Sequence, residues 1–283
     1  MFDRFIAIDW SGAKAGYRGK IEIAQCLAGD APPALLAPPD GWWRRHQVLE
    51  WLQALADEGA RALIGMDFSF APPWMDRKAY LPGLATAATA KGFWRFLDNG
   101  CEDPDLGAAS FVERHRGRYF YLGAVDGDKA QFMRLRVCEQ AFNATDGGKP
   151  SSVFDAIGAA QVSKASFAGM RLLARLAGRL AIWPFDPLPA TGPVLVEIYC
   201  RAFIRAAGLR GLKMRDPVTL NQALRALGSR PMAAVPTPLS DDRSDALLAA
   251  AGLRYGSVQP QYWQPPGLSA RVAATEGWTF GVP

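Results

Sequence analysis

The chain has 283 residues, of which 49% are hydrophobic, and this is enough apolar surface to pack a core in one large domain or two small ones. With 32 basic and 27 acidic residues the formal net charge is +5, which is compatible with a polyanionic partner but does not require one. Four scattered cysteines without a C-x-x-C pair argue against a zinc module, and the sequence has neither a signal-peptide pattern nor an apolar stretch of about 18 residues. We therefore expect a folded, soluble, cytoplasmic protein with reduced thiols and no membrane contact.

A β-hairpin is the first predicted element. The apolar run 5–8 predicts a buried strand, the Ser-Gly-Ala-Lys-Ala-Gly stretch predicts a turn, and the alternating segment 20–26 predicts a second strand. Asp9 directly follows the apolar run, so the prediction places this carboxylate at the mouth of the hairpin.

A helix and a second acidic strand follow the hairpin. The Pro-rich segment 30–39 is expected to be a loop or an irregular edge, and apolar residues at helical spacing predict a helix over 42–59. The short apolar run 61–66 predicts a strand that also ends in an aspartate, Asp67. Two strands that end in carboxylates, with a helix between them, are the basis of the functional interpretation.

Residues 74–150 show few clean periodic stretches. The segment is rich in glycine, aspartate, arginine and aromatic residues, as in GCEDPDLGAASFVERHRGRYFYLG. We interpret it as an irregular insertion or lid within a single domain that spans residues 1–283.

Periodic patterns return in the second half of the chain. They predict a helix from about 161, a strand-like segment at 180–185, a strand at 194–199, and helices at 201–208 and 217–227. Glu197 lies inside the predicted strand 194–199, and a carboxylate buried in such a strand must either be paired or line a site. The alternative to a functional role is an ion pair with one of the many arginines.

The last clear predicted element is a helix that begins at Ser240 and ends near Gly256. Ser240 is a good N-cap, and acidic residues suit the positive first turn, which is a sufficient explanation for Asp242. Asp242 and Asp245 are three positions apart and share one helical face. Asp245 lies beside small alanines that allow the helix to approach a sheet closely, so it is harder to explain as a first-turn residue.

These carboxylates have the chemistry of a magnesium or manganese site. Mg²⁺ prefers hard oxygen ligands, and a site for two metal ions that cleaves a phosphodiester needs three or four carboxylates close together. The residues that supply this set are Asp9, Asp67, Glu197, Asp242 and Asp245. They converge only if the two Asp-ended strands are neighbours and the last helix points its N-terminal end toward them.

The order of these motifs resembles the RNase H-like fold. The motifs are AIDWSGA, IGMDFSFAPP, VEIYC and DDRSDALLAAA, together with KPSSVF before the helix that begins near 161. More narrowly, they resemble a family of predicted RNase H-like nucleases known as domain of unknown function 429. The resemblance leaves residues 74–140 unmatched.

The resemblance implies an α/β fold in which a mixed β-sheet is flanked by helices. It also implies that Asp9, Asp67 and one of Asp242 or Asp245 bind the metal, with Glu197 as a fourth member of the catalytic set. The implied reaction is hydrolysis, in which one ion activates water and another stabilises the leaving 3′ oxygen. Cys200 departs from the family pattern, since many relatives have proline there, and no histidine lies near a motif.

A nuclease also needs basic groups that hold phosphates. The candidates lie in the first turn, beside tryptophans, and among aromatic residues of the insertion, where stacking and charge together suit single-stranded or distorted nucleic acid. They are Ser11, Lys14, Arg44, Arg45, Arg116, Arg118 and Lys213. A solvated charged surface is the alternative for each of these basic residues.

Two other functions stay open at this level. A hairpin with a leading aspartate also begins the actin and sugar-kinase ATPases, in which Ser11, Gly12 and Lys14 would lie near a nucleotide phosphate. Those enzymes use two copies of the domain, and this chain has one Asp-led hairpin and no G-x-x-x-x-G-K-[ST] loop. The second alternative is an RNase H-like domain that binds nucleic acid or a protein without catalysis.

Overall fold

A mixed β-sheet of seven strands, flanked by helices, organises this α/β protein. The computed structural model describes residues 2–13, 21–145, 148, 150–158, 161–209 and 214–283. The strands are β1 (Arg4–Asp9), β2 (Glu22–Leu27), β3 (Ala34–Leu35), β4 (Ala62–Met66), β5 (Ala181–Ile182), β6 (Val194–Ile198) and β7 (Thr279–Phe280).

The strand order across the sheet is β3-β2-β1-β4-β6-β5, and β7 also pairs with β6. β2 runs antiparallel to β1 and to β3, whereas β1, β4 and β6 run parallel to one another, as do β5 and β7 with β6. Because the carboxyl ends of parallel strands lie at one edge of a sheet, the ends of β1, β4 and β6 meet there.

Helices fill the connections between the strands. The α-helices of the described residues are α1 (Arg45–Asp57), α2 (Ala90–Asn99), α3 (Ala109–Arg114), α4 (Val137–Ala144), α5 (Ser163–Leu176), α6 (Cys200–Ala206), α7 (Pro217–Ala226), α8 (Asp241–Ser257), α9 (Pro260–Trp263) and α10 (Ala270–Thr275). Two short 3₁₀ helices lie at Ala124–Asp126 and Lys129–Gln131. None of the helices in these described ranges is both long and apolar enough to cross a membrane.

Alternation along the strands divides the core between the two faces of the sheet. Ile6 and Ile8 pack with apolar residues of α1, α2 and α5, whereas Phe5 and Ala7 pack with residues of α8 on the opposite face. Successive side chains of a strand point to opposite faces, so the parity of a position decides which helix it meets.

Helix α8 lies very close to the sheet. A Cβ atom added at Gly65 in β4 would lie 2.7 Å from Cγ2 of Ile198 and 2.9 Å from Cδ1 of Leu253. Cys26 Sγ in β2 donates to the carbonyl oxygen of Ala250 at 3.3 Å, a contact between residues 224 positions apart. Small residues on both elements allow this approach, which carries the N-terminal end of α8 to the strand ends.

Most predicted elements are confirmed, with small differences at their ends. The two hairpin strands, the strand before Asp67, the helix capped by Ser240 and the strand that carries Glu197 all form, and α8 ends at Ser257, one residue after the predicted end. Residues 14–16 of the predicted turn lie outside the described residues. Two short strands were not predicted: β3 interrupts the Pro-rich loop, and β7 follows α10.

The segment 74–150 is more regular than its sequence indicates. It contains α2, α3 and α4, and buried residues such as Tyr80 and Phe93 belong to the core on the α1 and α5 face. Glu276, which is 1% exposed, accepts hydrogen bonds from the backbone N–H groups of Trp74, Met75 and Val137 at 2.5–2.8 Å. The segment is therefore anchored at both ends by one buried carboxylate.

Candidate active site

Asp9 and Asp67 lie side by side at the carboxyl ends of β1 and β4. Ile8 is paired with Met66 in the parallel ladder, and the backbone N–H of Asp67 donates to the carbonyl oxygen of Ile8 at 3.1 Å. Strand parity places both carboxylates on the face that α8 covers, because Asp9 follows Phe5 and Ala7 at intervals of two. The predicted convergence of these two aspartates is therefore present.

Helix α8 brings two more carboxylates to this edge. Ser240 caps the helix by accepting a hydrogen bond from the backbone N–H of Arg243 at 3.2 Å. One turn later, Asp245 lines a small pocket with Asp9 and Asp67, whereas Asp242 lines a larger cavity with the same pair. The two α8 aspartates thus approach the strand ends at different depths.

Cys200 supports the deeper of these carboxylates. Its Sγ donates to Oδ1 of Asp245 at 3.3 Å, and the thiol is buried. Burial and the neighbouring Asp245 raise the pKa of Cys200 well above its ordinary value, so the thiol keeps its proton for this bond.

The clustered acids raise one another's pKa. Burial raises the pKa of Asp9 well above its ordinary value, and the nearby Asp67, Asp242 and Asp245 add to the shift. Burial also raises the pKa of Asp67 to about 8, with further contributions from Asp245 and Glu197. Among the described residues, no hydrogen bond or ion pair reaches the carboxylate of Asp9 or Asp67. Protonation of one acid or a bound cation would relieve the repulsion between the two carboxylates.

Glu197 lies close to this cluster but is fully engaged. Its Oε1 accepts from Arg136 Nη2 at 2.5 Å and from Thr279 Oγ1 at 2.6 Å. Its Oε2 accepts from Arg136 Nη1 and from the backbone N–H of Phe70, both at 2.7 Å. Each carboxylate oxygen of Glu197 thus accepts two hydrogen bonds. The structure shows the alternative that the sequence left open, in which Glu197 forms a buried ion pair with an arginine.

The larger cavity has a volume of about 730 Å³ and opens above the strand ends. Its floor includes Asp9 and Asp67, and its walls come from the loop after β1, from the start of α5, from α4, and from the segments after β6 and β7. The walls include Ser11, Lys164, Phe142, Tyr199 and Asp242. The cavity is therefore the route by which a ligand reaches the carboxylates.

Arg45 shapes the wall of this cavity from inside the protein. Its Nη1 donates to the carbonyl oxygens of Ser11 and Ala13 at 2.8 and 2.9 Å, and its Nε donates to the carbonyl oxygen of Asp105 at 2.6 Å. Only 3% of Arg45 is exposed. This placement does not support the predicted phosphate contact by Arg45, since its guanidinium holds the first turn in place instead.

Of the other predicted phosphate ligands that the structure describes, Ser11 lines the cavity, whereas Arg44, Arg116 and Arg118 do not. Arg44 pairs with Asp40 at 3.0 Å and Arg116 pairs with Asp126 at 2.7 Å, while Arg118 lies over the ring of Tyr119 beside a separate pocket. Lys14 and Lys213 fall outside the described residues. The structure thus gives the arginine clusters no contact with the carboxylate site.

Three residues that the sequence reading missed contribute to the cavity. Arg136 lies in the segment without clear periodicity, so no pattern marked it. Lys164 begins α5 and pairs with Glu113 at 3.4 Å, while 25% of its side chain stays exposed. Tyr199 is the last residue of the VEIY motif, in which the sequence analysis considered the glutamate alone. Its position two residues after Glu197 was the available signal that it lies near the site.

The donor set of this site fits magnesium or manganese in its chemistry. The described residues include no group of three or more His, Cys, Asp or Glu side chains arranged to hold a metal ion. Mg²⁺, however, usually takes only one or two protein carboxylates and completes its shell with water and substrate phosphate. Asp9 and Asp67 meet that requirement, and the positive charge would offset their mutual repulsion.

Comparison of the chain with protein-family models, with curated proteins and with solved structures finds no match. The chemistry of the site therefore follows from its own geometry. Neighbouring carboxylates that repel each other, at the floor of a cavity with one lysine on its wall, can bind a divalent cation together with an anionic ligand.

Proposed function

We propose that the protein is a metal-dependent nuclease that hydrolyses phosphodiester bonds. The observation that carries this proposal is the placement of Asp9 and Asp67 on neighbouring parallel strand ends, at the floor of a cavity, without a cationic partner among the described residues. Ionised carboxylates arranged in this way repel each other unless one of them is protonated or a cation lies between them.

The order of the elements supports an RNase H-like fold for this nuclease. An antiparallel hairpin leads into a parallel strand that also ends in aspartate, then into a strand with a glutamate, and α8 closes the sheet on the aspartate face. This is the order of motifs on which the resemblance to predicted RNase H-like nucleases rests.

In the proposed mechanism, Asp9 and Asp67 would hold Mg²⁺ or Mn²⁺, with Asp242 facing the same cavity and Asp245 beneath it. When bound, the metal supplies an activated water and charge stabilisation for the leaving oxygen. Lys164, at the first turn of α5, offers a positive charge to a phosphate within the cavity. Glu197 would position Asp67 rather than bind the metal, because the hydrogen bond that it accepts from the backbone N–H of Phe70 fixes the chain that follows Asp67.

The test is cleavage of labelled nucleic acids with Mg²⁺, with Mn²⁺ or with EDTA. The panel contains single strands, DNA and RNA duplexes, hybrids and branched junctions. Asp9→Asn should abolish cleavage, because it removes one carboxylate of the pair and keeps the shape of the side chain. Asp57→Asn is the matched control, since Asp57 is exposed and paired with Arg179 far along α1.

Metal-dependent cleavage that is lost in Asp9→Asn and kept in Asp57→Asn supports the nuclease. Cleavage that Asp9→Asn retains assigns the activity to a contaminant and removes the proposal. If no substrate is cut, the same proteins are assayed for nucleotide hydrolysis and for nucleic-acid binding, which are the outcomes expected for a kinase-like ATPase and for a non-catalytic domain.

A comparison of Asp242→Asn with Asp245→Asn addresses the roles of the two α8 aspartates. Asp242 lines the large cavity, so its loss should reduce cleavage with only a small effect on stability. Asp245 accepts a hydrogen bond from Cys200 in the smaller pocket, so its loss should reduce both cleavage and the stability of the protein.

A further inference from the structure

We propose that the cavity takes one nucleotide unit at a time, the end of a single strand, with its base stacked on Tyr199. This inference rests on the proposed nuclease function and narrows its substrate to nucleic acid that presents such a unit. A continuous duplex would then be a poor substrate.

The size of the cavity is the first observation. Its volume of about 730 Å³ lies within the range of roughly 300–1,000 Å³ that is typical of pockets for a single small ligand. The walls come from both faces of the sheet, since α4, the start of α5 and the N-terminal end of α8 all contribute residues. Enzymes that reach into such a pocket act on an extruded or single-stranded nucleotide, because a paired base cannot enter.

Tyr199 provides an aromatic wall for the base. It follows β6, lines the cavity and is half-buried. Phe142 of α4 stands behind it, with ring centroids 5.6 Å apart and an interplanar angle of 74°. This edge-to-face support fixes the ring of Tyr199, and a fixed ring stacks a base whatever its sequence.

Polar groups complete the recognition of a nucleotide. Lys164 and Ser11 lie on the cavity wall, and the aspartate pair lies on its floor, so one cavity offers groups for a base, a phosphate and a metal. In each turnover, water adds to the terminal phosphorus, and the bond from that phosphorus to the neighbouring nucleotide's oxygen breaks. The leaving oxygen takes a proton, and a mononucleotide is released.

The first experiment measures binding without turnover. Calorimetry with the four deoxynucleoside and four ribonucleoside 5′-monophosphates is carried out in Ca²⁺, which allows metal-assisted binding. Tyr199→Ala should weaken binding about 10-fold, the scale of one lost base stack, and Tyr199→Phe should retain it. Trp42→Ala is the control, because Trp42 is an aromatic residue of similar exposure that does not line the cavity.

The second experiment compares a linear single strand with the same sequence closed into a circle, both as DNA and as RNA. We expect the linear form to be shortened to mononucleotides and the circle to resist. Circles cut as fast as linear strands overturn the inference but leave the nuclease in place. Monophosphate binding that depends on Tyr199, without cleavage of any nucleic acid, overturns the nuclease instead.

Two further outcomes also overturn the inference. One is the absence of monophosphate binding to the wild-type protein. The other is equal binding by Tyr199→Ala and wild type. Tyr199→Phe guards against a folding defect, because a loss of binding in Tyr199→Ala counts only when the phenylalanine variant retains it.

Discussion

Arg136 and Glu197 form a buried, bidentate ion pair at the edge of the candidate site. Each terminal nitrogen of the guanidinium donates to a different oxygen of the carboxylate, at 2.5 and 2.7 Å, and neither residue is more than 3% exposed. The backbone N–H of Phe70 and the hydroxyl of Thr279 each donate a further hydrogen bond to the Glu197 carboxylate. The pair therefore joins α4, β6, β7 and the chain after Asp67 into one framework around the carboxylates.

Breaking this pair should destabilise the protein strongly. Glu197→Ala leaves buried Arg136 with Glu139 as its remaining carboxylate partner and leaves the Phe70 N–H and the Thr279 hydroxyl without their acceptor. We therefore expect the free energy of unfolding to fall by about 3–5 kcal/mol, measured by urea denaturation. The exposed pair of Arg179 and Asp57 is the comparison, and Asp57→Asn should cost less than about 1 kcal/mol. A loss below about 1 kcal/mol for Glu197→Ala would contradict the structural role of this residue.

Asp67 should make the metal-free protein less stable as the pH rises. Its pKa is raised from 3.8 to about 8 in the folded protein, so between those values the folded state holds a proton that the unfolded state has released. The contribution of Asp67 to the free energy of unfolding therefore falls as the pH rises across that range. Asp67→Asn should remove this decrease.

In EDTA, we expect Asp67→Asn to exceed wild type by about 1–3 kcal/mol at pH 8, with the gap closing toward pH 4. Urea denaturation at several pH values measures this difference. A gap that does not vary with pH would contradict the raised pKa of Asp67.

Divalent metal should raise the melting temperature of the wild-type protein. A cation that binds only the folded state at 100 times its dissociation constant adds about 2.7 kcal/mol to the free energy of unfolding. Thermal unfolding with Mg²⁺ or Mn²⁺ should show the shift, and Asp9→Asn should lack it while Asp57→Asn keeps it. An unchanged melting temperature of wild type at millimolar metal would count against a metal site.

Gly65 should not tolerate a larger residue. The Cβ of alanine at this position would lie within 3 Å of side-chain atoms of Ile198 in β6 and Leu253 in α8, so these buried side chains would have to shift. We expect Gly65→Ala to lower the free energy of unfolding by about 1–3 kcal/mol and to weaken metal binding, because Asp67 lies two residues further on. Wild-type stability and metal affinity in the variant would show that these side chains have room to shift.

Arg45 and Arg44 should respond very differently to substitution. Arg45→Met leaves three backbone carbonyl groups without their donor, so a loss of about 1–3 kcal/mol is expected together with reduced cleavage. Arg44→Met removes a surface ion pair with Asp40 and a cation–π contact with Trp42, and should change stability by less than about 1 kcal/mol. Equal effects in denaturation and cleavage assays would contradict the assignment of Arg45 to the first turn.

The part of the fold that local patterns encode was predictable from the sequence. The strands that end in Asp9 and Asp67 are short apolar runs, and the Ser240 cap depends on residues within one turn of helix. Glu197 shows where this information ends. It alternates with Val196 and Ile198, which pack on the α8 face, but the partner that engages it lies 61 positions away in the segment without clear periodicity.

The helices of the segment 74–150 were missed for a related reason. Helix α2 contains a glycine in its first turns and only a narrow apolar face of Phe93, Trp94 and Leu97, and α3 has six residues. Helices this short gain most of their stability from tertiary packing, which a sequence window does not contain.

The hydrogen bond between Cys26 and Ala250 has a consequence for the kinetics of folding. It joins residues 224 positions apart, so the docking of α8 onto the hairpin closes a very large loop and contributes to a high contact order. Before that docking, the aspartates of α8 are far from Asp9 and Asp67, and the repulsion among them is absent. The repulsion therefore develops only as α8 docks on the sheet, so it lowers the rate of docking and raises the rate of undocking. A bound cation would reduce the repulsion and so oppose both effects.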